Sequence, residues 1–422
     1  MAVYSKFRML PLPLVVLLTM ATSAGAVSLT LGGSGSGEDA VRVLYASDSR
    51  GNSVIITEVG RDAPDGAAFT EIGVPQMAPD GRVIFGAEET EVDGRQHWNV
   101  FFGGPEASPA RRVTQALYLK PANSACFPHF RTDPYPVADG DGEIAFIAAD
   151  GAGRDSLFLY SQGTLSCLAS VGSDTIEGHS ISVLSHGTVQ IGEIGQVVFT
   201  GWLKADKPSE PDRQTLLMAS PKTGIVELAV EEELGPNRTR YKRPFGLPAV
   251  LPSTEGTLIA FTAKTESGAA LFLYRDGVMA RVLPTGTDTA LGPVSYLSPG
   301  RPGLMADGTM AVLAGCARIP AIFRLARGRL DLRIQRGQLT PRSTALESMG
   351  DPVLTQSGAM FVGATDSENR EKLYVLDDDA FFEVGTTSVI YRIALQPDDQ
   401  HSIFTGTLTV NQRGDFAYLG GK

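Results

Sequence analysis

Gly81-Arg-Val-Ile-Phe85, Gly142-Glu-Ile-Ala-Phe146, Gly195-Gln-Val-Val-Phe199 and Gly256-Thr-Leu-Ile-Ala-Phe261 are four copies of one short phrase: a glycine, one polar residue, then an apolar run ending in Phe. Weaker copies follow at Gly308-Thr-Met-Ala-Val312, Gly358-Ala-Met-Phe-Val362 and Gly414-Asp-Phe-Ala-Tyr418. The seven glycines are spaced 50 to 61 residues apart. A period near fifty residues means a repeat architecture, and the repeat decides the fold before any other feature does.

Each glycine strand is followed by two more β-rich runs. After Gly142 come Ser156 to Tyr160 and Thr164 to Leu168; after Gly256, Ala270 to Tyr274 and Val278 to Leu283. After Gly308 come Ile322 to Leu325 and Arg329 to Ile334; after Gly358, Lys372 to Leu376 and Ala380 to Val384. Gly or Asp between such runs marks hairpins. The less regular return to the next glycine supplies a fourth strand, which is the recipe of a propeller blade. The seventh glycine strand has no room for partners after it, whereas Val41 to Tyr45 and Ser53 to Thr57 lack a glycine strand before them. The reading is therefore an all-β, seven-bladed β-propeller closed by pairing of N-terminal strands with the C-terminal strand, which covers both exposed sheet edges. Six or eight blades, or two smaller sheets, are the alternatives. Helical signals are confined to possible single turns at Val230 to Leu234 and Ser343 to Met349.

The first residues read as a secretory signal. Lys6 and Arg8 precede an apolar stretch from Met9 to Met20, and Ala24-Gly25-Ala26 places small residues where a signal peptidase cuts, after Ala26. Pro11 and Pro13 interrupt a stretch already too short for about 30 Å of hydrocarbon. The expected organisation is a signal peptide at 1–26, a Gly/Ser-rich lead-in at 27–39 and a propeller over 40–422, in the periplasm or outside the cell. Of three cysteines, Cys126 and Cys167 are candidates for a disulfide, while Cys316 reads as a small buried apolar group.

The stretch Gly60-Arg-Asp-Ala-Pro-Asp-Gly66, followed by Phe69, Pro75, Gly81, Val83 and Phe85, resembles the tandem repeat of uncharacterised secreted bacterial propeller-like proteins, with the pattern G-D-x-x-P-x-G…F…P-x-L-N-x-x-G-x-V-A-F. The resemblance extends from about residue 40 to the end and is strongest in the first unit; Gly172-Ser-Asp-Thr-Ile-Glu-Gly178 and Gly286-Thr-Asp-Thr-Ala-Leu-Gly292 are faint copies. It implies an exported repeat protein without established chemistry. The Trp-Asp endings and paired glycines of better-known propeller repeats do not recur.

The net charge of −11 argues against a general nucleic-acid binder. Turns before the glycine strands carry Asp80, Asp139, Asp141, Glu193, Glu255, Asp307 and Asn411. A ring of acids at a channel mouth can hold a cation or a sugar, but Asp and Asn before Gly also make tight turns with their own backbone, and that reading is preferred. Asp139-Gly-Asp-Gly-Glu143 contains only the start of a calcium loop. Of the histidines His97, His129, His179, His186 and His401, only His179 and His186 share a connection, with Glu177, where they could meet around a metal. Asn237-Arg-Thr-Arg-Tyr-Lys-Arg243 and the group Arg327, Arg329, Arg333 and Arg336 are basic islands, able to touch a polyanion but read here as solvated faces. Asn237-Arg-Thr also matches a glycosylation sequon. No nucleophile elbow and no phosphate-cradling glycine loop occurs.

No catalytic residue, metal ligand or cofactor is therefore assigned. The expected function is an exported, non-catalytic, monomeric propeller that binds a ligand, protein or glycan on one face, with no membrane span in the mature chain. A carbohydrate-active hydrolase or lyase, and a structural envelope component, are the alternatives.

Overall fold

The computed structural model describes residues 42–384 with breaks, the longest at 104–110 and 113–129, together with short strands at 409–410, 416–417 and 419–421. Ala24, Ala26 and the lead-in at 27–39 lie outside the described residues. So do Gly81, Gly414, Asp80, Asp141, Glu255, Asn411, Cys126, His129 and His401.

The chain is all-β. Six antiparallel sheets follow one another in sequence, numbered here one to six. Sheet three shows the plan: a split inner strand, Ile181–Leu184 and Gln190–Ile191, then Val197–Leu203, Arg213–Ser220 and an outer strand Gly224–Val230. The strand that follows each repeat glycine is thus second in its sheet. The fourth strand expected from the sequence is the inner one, and it precedes the glycine. Gly142, Gly195, Gly256, Gly308 and Gly358 all have φ between 80° and 109°. That left-handed backbone is why the phrase keeps a glycine when the rest of it drifts.

The phrase-ending Phe pairs across the sheet with the third strand. Phe85 and Phe101, Phe146 and Phe158, and Phe261 and Phe272 stack with centroids 5.6, 5.6 and 5.4 Å apart in sheets one, two and four. Phe199 faces Leu217, Val312 faces Phe323, and Val362 faces Tyr374 at the same place in sheets three, five and six. All twelve side chains are buried. The third strand carries a bulge beside this pair in sheets two to five, which increases its twist.

Inner strands of consecutive sheets touch, from one to six, and Thr409–Val410 touches the inner strand Gln76–Met77 of sheet one. Arg42–Ser47 pairs with Ser53–Glu58 on one edge and with Leu419–Gly421 on the other, with Leu44 opposite Leu419. The two ends of the described chain therefore share one sheet.

The possible turn at 230–234 is displaced: a short 3-10 turn occurs at Pro236–Arg238. The turn expected at 343–349 is overturned, because Leu346–Met349 is an inner strand. Leu346 and Met349 are buried on the inner strand's packed face, which outweighs local helix propensity.

Candidate functional site

The inner strands are where polar groups go deepest. Each fully described inner strand is broken at mid-length. Just before the break, the N–H of Gly73, Ser185, Gly246, Ser298 or Gly350 still donates to the second strand of its own sheet, at 2.7 to 3.0 Å. In sheets one, four, five and six an X-Pro pair follows: Val74-Pro75, Leu247-Pro248, Arg301-Pro302 and Asp351-Pro352; Asp133-Pro134 is its counterpart in sheet two. Proline has no N–H for the ladder, so pairing lapses and the preceding residue turns its own N–H elsewhere.

That N–H crosses to the next sheet. Val74 N donates to Asp133 Oδ2 at 3.0 Å, and Leu247 N donates to the Pro299 carbonyl at 2.9 Å. Arg301 N donates to the Asp351 carboxylate. Asp133 Oδ1 also accepts Tyr135 N at 3.0 Å, and Asp351 Oδ1 accepts Ser298 Oγ at 2.7 Å. The seats are tight: a methyl on Gly73 or Gly86 would overlap the Asp133 carboxylate, and one on Gly300 would overlap that of Asp351.

Burial pushes both carboxyls up to about 6. For Asp133 it outweighs the N–H groups of Tyr135 and Val74, and Glu71 adds repulsion. For Asp351 it outweighs the Ser298 hydroxyl, the Arg301 charge and the Arg301 N–H. Arg301 is pulled down to about 10 by the same desolvation, against the attraction of Asp351. Asp133, Arg301 and Asp351 nonetheless keep some accessible surface.

At the glycine ends, side chains also link sheets. Glu143 accepts Gly195 N at 2.9 Å and a short bond from Ser161 Oγ. Thr257 Oγ1 donates to Gln196 Oε1 at 2.7 Å and accepts Glu193 N at 3.1 Å. Asp139 Oδ1 accepts Glu143 N at 2.7 Å, and Asp307 accepts both the N–H and the hydroxyl of Thr309. The described turn acids Asp139 and Asp307 thus bind their own turns, and the Glu143 carboxylate of the partial calcium loop is engaged by backbone and serine.

On the outer side, the loop entering a sheet lies against that sheet's outer strand. Ile176 N donates to the Ile225 carbonyl at 2.9 Å, and Glu227 Oε1 meets Thr175 Oγ1 at 2.6 Å and His179 Nδ1 at 2.8 Å. In sheet four Arg281 donates to Thr239, and in sheet six Arg342 pairs with Glu383 at 2.8 Å. These loops cover strand edges that would otherwise be open. Beside the first of them lies a cleft of about 350 Å³ lined by Glu177, His179, Glu227, Glu233, Tyr241 and Met279. His186 does not join it; it lies 3.7 Å from Asp155. His97 lies 3.4 Å from buried Glu89. Among the described residues no cluster of three or more His, Cys, Asp or Glu is placed to hold a metal ion.

The basic islands are largely neutralised. Lys242 pairs with Glu232 at 2.6 Å, Arg243 with Glu231 at 2.9 Å and Arg240 with Glu266 at 3.2 Å. Arg329 pairs with Asp331 at 2.9 Å and Arg336 with Glu347 at 2.8 Å. A polyanion would have to displace these acids. Cys316 is buried; Cys167 sits in an outer strand with Sγ 3.4 Å from Ser170 Oγ, and its considered partner Cys126 lies outside the described residues.

Two bidentate hairpins escaped the sequence reading. Asp150 Oδ1 accepts the N–H of Ala152 and Arg154, and its Oδ2 accepts Arg154 Nε and Nη2. Asp366 does the same with Glu368 and Arg370. The shared spacing Asp-x-x-x-Arg between the second and third strands is the signal that reveals them.

A family of unknown function (DUF7453) matches residues 16–233, and the chain belongs to it. No curated protein matches the sequence. Among solved structures the chain is similar to a puromycin-hydrolyzing peptidase of Mycobacterium tuberculosis, with 12% identity and a TM-score of 0.48, covering 81% of this chain and 48% of that one. It is similar to the β-propeller domain of the Trilobed protease from Pyrococcus furiosus, with 9% identity, a TM-score of 0.45, and 75% and 84% covered. It is also similar to the SapL1 lectin bound to alpha methyl fucoside, with 11% identity, a TM-score of 0.34, and 76% and 97% covered. The chain spans about half the length of the peptidase. Among the described residues no helix is long and apolar enough to cross a membrane.

Proposed function

We propose that the mature chain is an exported, seven-bladed propeller that binds a ligand on one face without transforming it. The seventh blade is made from both ends: Thr409–Val410 innermost, then the Phe416–Ala417 and Leu419–Gly421 pieces, then Arg42–Ser47 and Ser53–Glu58. The observation that carries the non-catalytic reading is the use made of the deepest acids. Asp133 and Asp351 accept backbone N–H groups across adjacent sheets, and Glu143 does so at the glycine end. Acids held in this way act as struts of a rigid wheel, and a rigid wheel is a platform for convergent loops.

One observation favours the enzyme alternative. Carboxyls raised to about 6, like those of Asp133 and Asp351, are in the range of a general acid. The two readings separate in a thermal-shift screen of the mature protein against glycans and peptidoglycan fragments, with product analysis on every hit. Saturable stabilisation without product supports the binder. Turnover that disappears in Asp133→Asn or Asp351→Asn overturns it. Export is checked by N-terminal sequencing of the secreted chain, which should begin at Val27.

A further inference from the structure

Arg301 is a deeply placed cation on the inner strands, and Asp351, the acid that attracts it, makes no direct ion pair with its side chain. Its Nε donates to the Pro248 carbonyl of sheet four at 3.1 Å, which fixes the plane of the guanidinium. Its backbone N–H donates to Asp351, which anchors the residue from the side of sheet six. Among the described residues no carboxylate lies within ion-pair distance of its side chain, and the two terminal nitrogens have no partner. Buried cations elsewhere in proteins are paired, because an uncompensated charge in a low-dielectric setting is costly. This one is held by rigid neighbours: Leu247 N on the Pro299 carbonyl, Ser298 Oγ on Asp351, and Gly300 N on Ser298 Oγ at 3.1 Å. The residue as a whole is only partly buried.

We propose that the terminal nitrogens of Arg301, presented between the inner strands of sheets four, five and six, bind one oxyanion group, a carboxylate or a phosphate. A planar fork with two parallel N–H donors matches either group, and a fixed fork loses little freedom on binding. The site deepens the ligand-binding reading above and rests on the axial placement of these strands. The charged and titratable groups facing Asp351 are Arg301 and Tyr296. Because Asp351 is raised to about 6, its charge fades as pH falls from 7.5 to 5, and the repulsion felt by an anion at Arg301 fades with it.

The test is titration of the mature protein with inorganic phosphate and with glucuronate, at constant ionic strength, followed by thermal shift and calorimetry at pH 5 and pH 7.5. The expected result is saturable binding of at least one probe, tighter at pH 5, with the preferred probe naming the oxyanion. Arg301→Gln, which keeps a donor for the Pro248 carbonyl, should weaken binding about tenfold or more, and Arg301→Lys should weaken it less. Asp351→Asn should tighten binding at pH 7.5 and remove the pH difference. No saturable binding of either probe to the wild-type protein overturns the proposal, as does binding unchanged in a folded Arg301→Gln protein. Either failure leaves the general screen and the closure of the ring untouched, so it is distinguishable from failure of the binder reading.

Discussion

Asp351 and Asp366 belong to one sheet and one residue type, and their environments push them in opposite directions. Burial alone would raise both. At Asp366 it is outweighed by the forked Arg370 side chain, the Arg370 N–H, the Thr344 hydroxyl and the Glu368 N–H, and the carboxyl falls to about 2. At Asp351 the helpers are one hydroxyl, one N–H and a guanidinium that makes no direct ion pair, and the carboxyl rises to about 6. Asp150 and Asp133 repeat the contrast in sheet two: Asp150 is lowered although burial opposes it, and Asp133 is raised to about 6. Acids in the rim hairpins bring their own cation within four residues. Acids on the inner strands reach across to another sheet's backbone and carry their charge into a deeper place. In the hairpins the hydrogen bonds, those of the forked arginine among them, outweigh burial, and on the inner strands burial outweighs the hydrogen bonds.

The largest effect is expected from breaking a rim hairpin. Asp366→Ala strands two backbone N–H groups and the Arg370 fork, and should cost about 3 kcal/mol in urea unfolding. Asp366→Asn should recover part of that. An equal loss from both, or none from either, would show that the fork is not what lowers Asp366. Next comes Gly300→Ala, whose methyl would overlap the Asp351 carboxylate. About 2 kcal/mol of destabilisation is expected, against about 1 kcal/mol for Gly172→Ala, which has φ +90° and open space around it. Equal losses at the two sites would mean that the inner seat is slack.

The pH dependence should show both signs. Asp366 is lowered, so its contribution is complete above the ordinary carboxylate range near 4 and is lost as pH falls toward 2. Asp133 and Asp351 are raised, so the native state holds protons that the unfolded chain has released, and stability from these groups falls as pH rises from about 4 through 6. From these groups, stability should therefore peak near pH 4, fall to about pH 6 and level off above it. Asp133→Asn should flatten the limb above the peak while losing one acceptor, because an amide cannot serve both Val74 N and Tyr135 N. An unchanged limb would mean that Asp133 does not titrate there. The smallest effect belongs to the outer loops. Glu227→Gln, at the contact with Thr175 and His179, should cost about 0.5 to 1 kcal/mol; a larger loss would make the edge cover part of the core.

Much of this architecture was legible in the chain because backbone geometry writes itself into residue type. A turn at φ near +85° keeps its glycine, so Gly142, Gly195, Gly308 and Gly358 mark second strands without any structure. Alternate apolar residues then locate the third and outer strands, as at Ala380–Val384. The crossing loops were less legible because the same conformation is taken there by other residues. The loop entering sheet four uses Glu232, Asn237 and Arg238 at positive φ, and the one entering sheet six uses Ser343. Both keep the bridged shape of the Gly172 to Gly178 loop, and of its two glycines only the first is kept, as Gly337 in the loop entering sheet six. The inner struts were illegible for a different reason. Asp133-Pro134 and Asp351-Pro352 look like ordinary turn pairs, and their partners Val74 and Arg301 are about fifty to sixty residues away in sequence. Periodicity finds the sheets, but only packing finds what joins one sheet to the next.

The proposed closure of the ring rests on the pairing of the two ends of the described chain in one sheet. Val43 and Gly420 are paired across that seam, so Val43→Cys with Gly420→Cys tests it directly. On mild oxidation the account predicts an intramolecular cross-link, seen as a faster-migrating monomer on a non-reducing gel and as a higher unfolding midpoint than in the reduced form, with neither single variant doing the same. Cross-linking only between molecules, or not at all, in a protein that keeps its wild-type unfolding profile would contradict it.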